Sequence, residues 1–438
     1  MPNPTPHKHL PRRAAAAATA VATALLAAAS AHAATNQAVA AGPGGGAHFA
    51  WVEQAAGYQT LQRSLGGDGA LSGVQVLSWA YRHVLEQRIG ADAAGNALVA
   101  WRSSGSGVMP GYIRRRSASG ALGEIQRLSP ADASLNSLRL AVEPDGDAIA
   151  VWQRTLDGRA VVQARRRAAE GTLGPVRTLS APDTDAYDPE VAVTPTGAAT
   201  VVWIRAGAEG SFPETRTVVA DGRVSAVQAL DEPVQALGDL RVTVSDAGAA
   251  VAAWARYGDG APGHGQLVSR ARGADGVLGP IQTISPDGEY TGFPDLAGNA
   301  AGRTVYVWNF RAPGASSTSI RGRVRRSDGA LGPVFEVTAA PLSRGVAAID
   351  PGGQVSDAWE LHGDIKSVRL RRRTADGTLG PVRVLSDPSV PSTWPHLVVD
   401  GAGRSTVAWR TEAGRWQARS VTVGGTVSPL RQLSEAAQ

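Results

Sequence analysis

The chain has 438 residues, 43% hydrophobic and 18% charged, which is enough apolar material to bury a core and too much for a disordered polymer. Its zero cysteines exclude a disulfide framework, a thiolate metal site and a cysteine nucleophile. The 52 Gly and 27 Pro predict many turns between short strands, and the 43 basic residues are arginine everywhere except Lys8 and Lys366.

In chain order, residues 1–33 carry Lys8, Arg12 and Arg13, a small-apolar run from Ala14 to Ser30, and Ala31-His32-Ala33. A basic stretch, an apolar stretch and an A-x-A site in that order predict a cleaved signal peptide, an exported protein and a single repeat domain over residues 34–438. Removing those three basic residues lowers the formal charge from +5 to +2, so nucleic acid is not an expected partner. The remainder shows no further hydrophobic stretch of membrane-spanning length.

From residue 34 onward the chain repeats itself. Trp51, Trp101, Trp152, Trp203, Trp254, Trp308, Trp359 and Trp409 recur at intervals of about 50 residues. Six positions before each stands a glycine (Gly45, Gly95, Gly146, Gly197, Gly248, Gly302, Gly353, Gly403), flanked by β-branched runs that read as strand A, turn, strand B. After a variable loop, strand C carries an aligned arginine (Arg63, Arg114, Arg165, Arg216, Arg270, Arg323, Arg371, Arg419), and a turn with Gly69, Gly120, Gly171, Gly222, Gly276, Gly329, Gly377 or Gly425, usually preceded by Asp or Glu, leads to strand D. Acid-Gly between extended runs is a strong hairpin signal. Each unit is thus a four-stranded meander, and strand B, apolar on both faces, needs a similar sheet on each side. Eight complete units with no polar capping repeat predict an all-β, eight-bladed β-propeller that closes without exchanging a strand between its first and last blades.

The run from Leu397 through Gly403 to Trp409 is similar to the tryptophan-docking repeat of quinoprotein-type and BamB-like propellers. The similarity covers the repeat core. It implies the architecture, and no quinone-binding or metal-binding residue of that family maps onto this chain.

The repeated tryptophans read as packing elements between blades. The aligned arginines read as a structural ladder that pairs with turn acids or stacks on tryptophan, the alternative being a ring for an anionic polymer. Antiparallel parity puts the A–B and C–D turns on one rim and the variable B–C and D–A loops on the other. Candidate ligand-binding residues on the second rim are Trp79, Tyr81, Tyr187, Glu289, Tyr290, Phe293, Trp394 and His396. Asp183, Asp185 and Asp188 are a candidate Ca²⁺ loop, with no other cofactor expected. Asp357 interrupts an apolar column two residues before Trp359. With Glu360 and His362 it is a candidate acid–base group, although pairing with Arg369 or Arg371 would also account for it. The expected function is non-enzymatic binding of a glycan or cell-surface protein. The alternatives are a glycan-active hydrolase or lyase and an envelope assembly scaffold.

Overall fold

The computed structural model describes residues 37–434 except 56, 80–82, 105–106, 258–264, 287–289, 312–317 and 340–341, so the predicted signal peptide lies outside the described residues. The chain forms eight four-stranded antiparallel sheets, each built from four consecutive strands. Strand A runs over Gln37–Ala41, Val84–Ala91, Leu135–Val142, Asp185–Val193, Ala236–Val244, Tyr290–Gly298, Leu342–Ile349 and Ser392–Val399. Strand B runs over Ala47–Ala55, Ala97–Ser103, Ala148–Leu156, Ala199–Gly207, Ala250–Tyr257, Thr304–Arg311, Val355–Leu361 and Ser405–Thr411. Strand C covers Gly57–Leu65, Gly111–Arg116, Arg159–Arg167, Gly210–Val218, Gly265–Arg272, Ser319–Arg325, Ser367–Arg373 and Trp416–Val421. Strand D is the short outer strand, for example Gln126–Arg127 in the second blade and Arg177–Thr178 in the third. Strand A of each blade contacts strand A of the next, and the first meets the last, which closes the eight-bladed propeller.

Both hairpin turns take the same form. In the second blade Gly95 N–H donates to Asp92 O at 3.1 Å and Gly120 N–H to Ser117 O at 2.9 Å. The glycine closing each turn is left-handed, with φ +82° at Gly95 and +94° at Gly120, a conformation an L side chain resists. The acid-Gly signature therefore marks the end of a four-residue turn, not the centre of a two-residue one.

The eight repeat tryptophans are at most 1% exposed. Trp152 packs with Leu135 of its own strand A onto Leu98, Ile113 and Leu128 of the preceding blade, and Trp359 onto Val305, Val307 and Ile320 of its own predecessor. One face of strand B thus fills the groove left by the blade before it, and the other receives the blade after.

The aligned arginines have the structural role expected but different partners. Arg165 donates from Nε to Gly174 O at 2.7 Å within its own blade, and from Nη1 to Arg127 O at 3.2 Å and Leu128 O at 3.1 Å in the preceding blade. Arg114, Arg216, Arg270, Arg323 and Arg371 repeat this pattern. The planar fork satisfies carbonyls on two sheets at once, where the expectation had turn acids or tryptophan faces. At closure Arg63 does the same to Gln432 O at 3.1 Å and Leu433 O at 3.2 Å, so the join between first and last blades uses the clamp found elsewhere.

Candidate binding face at the loop rim

In seven blades strand A loses register with strand B at one place near its start, a β-bulge at the rim that carries the B–C and D–A loops. In five of them the bulge residue is a non-glycine in left-handed conformation: Ser137 (φ 48°), Asp188 (47°), Asp239 (56°), Phe293 (50°) and Trp394 (60°). Such values are rare for bulky side chains and cost on the order of 1–3 kcal/mol each, so the repeat maintains strain at one ring of positions. In the second blade the shift falls at Leu85, and the next residue, Glu86, is paired with Arg102.

The side chains on this ring divide by blade. Phe293 in the sixth blade is 38% exposed and Trp394 in the eighth 48% exposed, two large aromatics presented to solvent from innermost strands. The second to fifth blades supply a polar arc. Ser137 Oγ donates to Asp188 Oδ1 at 3.2 Å across blades, and Tyr257 OH to Asp239 Oδ2 at 2.5 Å. Glu86 is fully buried, accepts Leu138 N–H at 2.9 Å and pairs with Arg88 at 2.6 Å and Arg139 at 3.2 Å. Arg139 continues to Glu190 at 2.8 Å, with Arg241 3.7 Å from Glu190 and 4.0 Å from Asp295. An ion-pair chain thus runs along the inner strands of five blades. Burial opposes ionisation of Glu86, but its arginines and the Leu138 amide hold the carboxyl below its ordinary value. Burial pushes Asp188 up, against the pull of Arg139 and Ser137.

The other sequence-predicted residues fall in several places. Trp79, on the D–A loop before the second blade, is 43% exposed and meets Tyr112 edge-on at 4.9 Å. Tyr58 and His83 meet with ring centroids 5.1 Å apart and planes tilted by 49°, an aromatic contact across two blades. Tyr187 packs with Ile204, Leu237 and Leu240 between blades, which makes it core rather than platform. His396 is half-buried on strand A, opposite Ala408. Tyr290 begins its strand A, while Tyr81 and Glu289 lie outside the described residues.

The proposed Ca²⁺ loop is not assembled as a ligand set. Asp185 turns to the preceding blade, accepting Ala160 N–H at 2.8 Å, while Asp188 faces Ser137 from the bulge. The described carboxylates that do converge are Glu143, Asp145 and Asp147 on the opposite rim, and there Glu143 pairs with Arg166 and Asp147 accepts Ala169 N–H at 2.8 Å.

The acid–base candidate also separates. Glu360 and His362 do meet, at 2.8 Å, and Glu360 accepts Trp394 N–H at 3.1 Å, so this carboxylate props the aromatic bulge of the next blade. Asp357 shares the Trp359 face of strand B, which is turned to the preceding blade, whereas Glu360 faces the following one. Arg371 stands directly across from Asp357, but its fork is engaged by Gly380 O at 2.9 Å and Val337 O at 3.2 Å. Asp357 Oδ1 consequently has no hydrogen bond, and burial raises the carboxyl to about 7.

No family model matches the chain, and no curated protein does. Among solved structures, the chain is similar to the BP39L lectin from Burkholderia pseudomallei, with 12% identity over 77% of this chain and 95% of that one and a TM-score of 0.50. It is similar to the polysaccharide lyase Uly1, with 10% identity over 82% and 92% and a TM-score of 0.50. It is also similar to a eukaryotic initiation factor, with 11% identity over 91% and 88% and a TM-score of 0.50. At such identities the likeness is one of fold, and a single scaffold carries unrelated functions. Function has to be argued from the ring of bulges itself.

Proposed function

We propose that the protein is a non-enzymatic, exported binding propeller whose loop rim recognises a glycan. The observation that carries this reading is the bulge ring, which spends backbone strain to hold Phe293 and Trp394 exposed beside a hydrogen-bonding arc of Ser137, Asp188 and Asp239. An aromatic face suits the apolar face of a sugar ring, and carboxylates accept from its hydroxyls, the combination of apolar contact and few placed polar groups typical of ligand sites. The lectin and lyase among the fold relatives are consistent with such use of the scaffold. A protein surface is the other ligand that suits exposed aromatic anchors.

The test is binding of the purified protein to a glycan array and to cell-wall polysaccharide, with and without Ca²⁺. The expected result is saturable binding that falls at least about tenfold in Phe293→Ala and Trp394→Ala, with the melting temperature nearly unchanged. Binding indifferent to both substitutions overturns the assignment to this face. Glycan hydrolysis is the second reading, favoured by one observation: adjacent blades present Asp188, raised by burial, and Asp239 on the same ring. Turnover of a bound glycan, lost in Asp188→Asn, would select that reading over binding alone.

A further inference from the structure

The opposite rim offers eight junctions between blades for comparison, and four are closed by an arginine from the earlier blade. Arg166 crosses from the third blade to Gly197 O at 2.8 Å. Arg372 crosses from the seventh to Gly403 O, Thr422 O and, at 2.8 Å, Ser405 Oγ. Arg303 reaches Ala375 O at 2.7 Å from the sixth blade, and Arg404 reaches Gly67 O at 3.1 Å from the eighth. The guanidinium comes from one of two positions, the residue after the aligned arginine of strand C (Arg166, Arg372) or the residue after the A–B turn glycine (Arg303, Arg404).

At the junction of the fifth and sixth blades both positions are alanine, Ala271 and Ala249, and the turn residue that is Glu143 or Asp350 at other junctions is Ser245. A cleft of about 330 Å³ opens there, lined by all three. Its far wall contains Gly302, Thr304 and Ser327, the counterparts of Gly403, Ser405 and Ala375, whose oxygens accept from arginine elsewhere. The volume lies at the lower end of the range for small-ligand sites, about 300–1,000 Å³.

We propose that this cleft binds a guanidinium group, supplied by an arginine side chain of a partner or by a free guanidino compound. The oxygen acceptors that meet Arg372 at the seventh junction have counterparts here, with Ser245 and Asn299 standing where Asp350 and Asp400 flank Arg372, and the side chains that would fill the space are cut back to methyl groups. Two arginines line the cleft, Arg272 and Arg325, and neither forbids a cation: Arg272 is turned to the preceding blade, donating to Gln228 Oε1 at 2.6 Å and Thr217 Oγ1 at 3.0 Å, and Arg325 lies on the far side. Arg325 Nη2 lies 3.1 Å from where a Cβ on Gly329 would stand, and at the seventh junction Arg383 Nη2 holds the same place, also 3.1 Å from such a Cβ on Gly425, with Arg372 in the slot. Nor is a carboxylate partner a requirement, since Arg404 makes its cross-blade bonds to carbonyls.

Calorimetry or ligand-observed NMR with acetyl-arginine amide, its citrulline analogue and free L-arginine tests this. Saturable binding of the arginine amide, at least about tenfold tighter than the neutral isostere, is expected, together with its loss in Ala271→Arg, where a resident guanidinium occupies the slot. Tighter binding of free L-arginine would assign the site to a small molecule, and tighter binding of the blocked amide to a protein-borne arginine; both support the cleft as a guanidinium site. Should Ala271→Arg not fold, Ala249→Arg fills the slot by the second route. In addition, Arg372→Ala should open an equivalent slot and raise the stoichiometry from one to two. Equal binding of citrulline, no saturable binding, binding that survives the filling substitution, or unchanged stoichiometry in Arg372→Ala would overturn the proposal.

Discussion

The two rims of the ring are built by the same eightfold repeat and put to opposite uses. On the turn rim, four junctions are closed by an arginine drawn from either of two positions, and the recipients are mainly backbone carbonyls, which every unit has. On the loop rim, the bulge keeps its backbone conformation while its side chain ranges over Ser137, Asp188, Asp239, Phe293 and Trp394 without compensation. Constant backbone with free side-chain choice is what a recognition surface requires, and constant interaction with interchangeable suppliers is what a joint requires.

The sharpest way to break this comparison is to truncate a tryptophan on each side of it. Trp152→Ala removes a fully buried indole from among Leu98, Ile113, Leu128 and Leu135 and should cost roughly 3–5 kcal/mol, read by chemical denaturation. Trp394→Ala removes an indole that is 48% exposed and should cost less than about 1 kcal/mol while abolishing ligand binding. Equal losses of stability from the two would show that the bulge ring is part of the joint rather than a surface.

Eight blades, four strands per blade and closure without strand exchange were legible in the sequence, because glycine conformation and tryptophan burial are local demands repeated every fifty or so residues. So was the rim on which side-chain variety collects. The arginine clamp was visible as a pattern, but its partners were not, since backbone carbonyls leave no mark in a sequence. Tyr187 illustrates the limit for the site: a loop aromatic reads alike whether the bulge beside it turns it into the groove or, as with Trp394, outward. The bulges escaped notice because no residue type is common to their left-handed positions.

A change of intermediate size concerns the buried carboxyl of Asp357, raised from 3.8 to about 7 by burial that Arg373 and Arg371 only partly offset. A carboxyl with a raised native pKa binds more protons folded than unfolded between those values, so its contribution falls as pH rises through that window. His48 acts oppositely: burial, with help from Arg116, lowers it to about 4, so its contribution grows with pH between about 4 and 6.5. Above pH 6.5 only the Asp357 effect remains. Asp357→Asn should therefore raise stability at pH 8, by up to about 4 kcal/mol, and the gain should vanish toward pH 4. A gain independent of pH in denaturation curves at pH 4, 6 and 8 would count against a protonated Asp357 in the native joint.

The smallest expected effect tests interchangeability within the turn rim. A guanidinium stands against the C–D turn glycine either from the same blade, as Arg167 does at Gly171, or from the strand D before it, as Arg177 does at Gly222. The partner position changes with it. Arg167 Nε donates to Gln126 Oε1 at 2.8 Å, whereas Arg177, at the place of Gln126, is followed by Val218 at the place of Arg167. The same exchange recurs with Arg383 and Val421 and with Arg431 and Leu65. Arg167→Val alone leaves the Gln126 amide short of a partner, and Gln126→Arg alone crowds two guanidinium groups, each costing about 1 kcal/mol. The double variant Gln126→Arg/Arg167→Val reproduces the arrangement of the next junction and should regain most of the loss, a coupling approaching about 2 kcal/mol in a double-mutant cycle. Additive losses would mean that each junction is fitted to its own residues, and that the compensation seen along the turn rim is not a property of the joint.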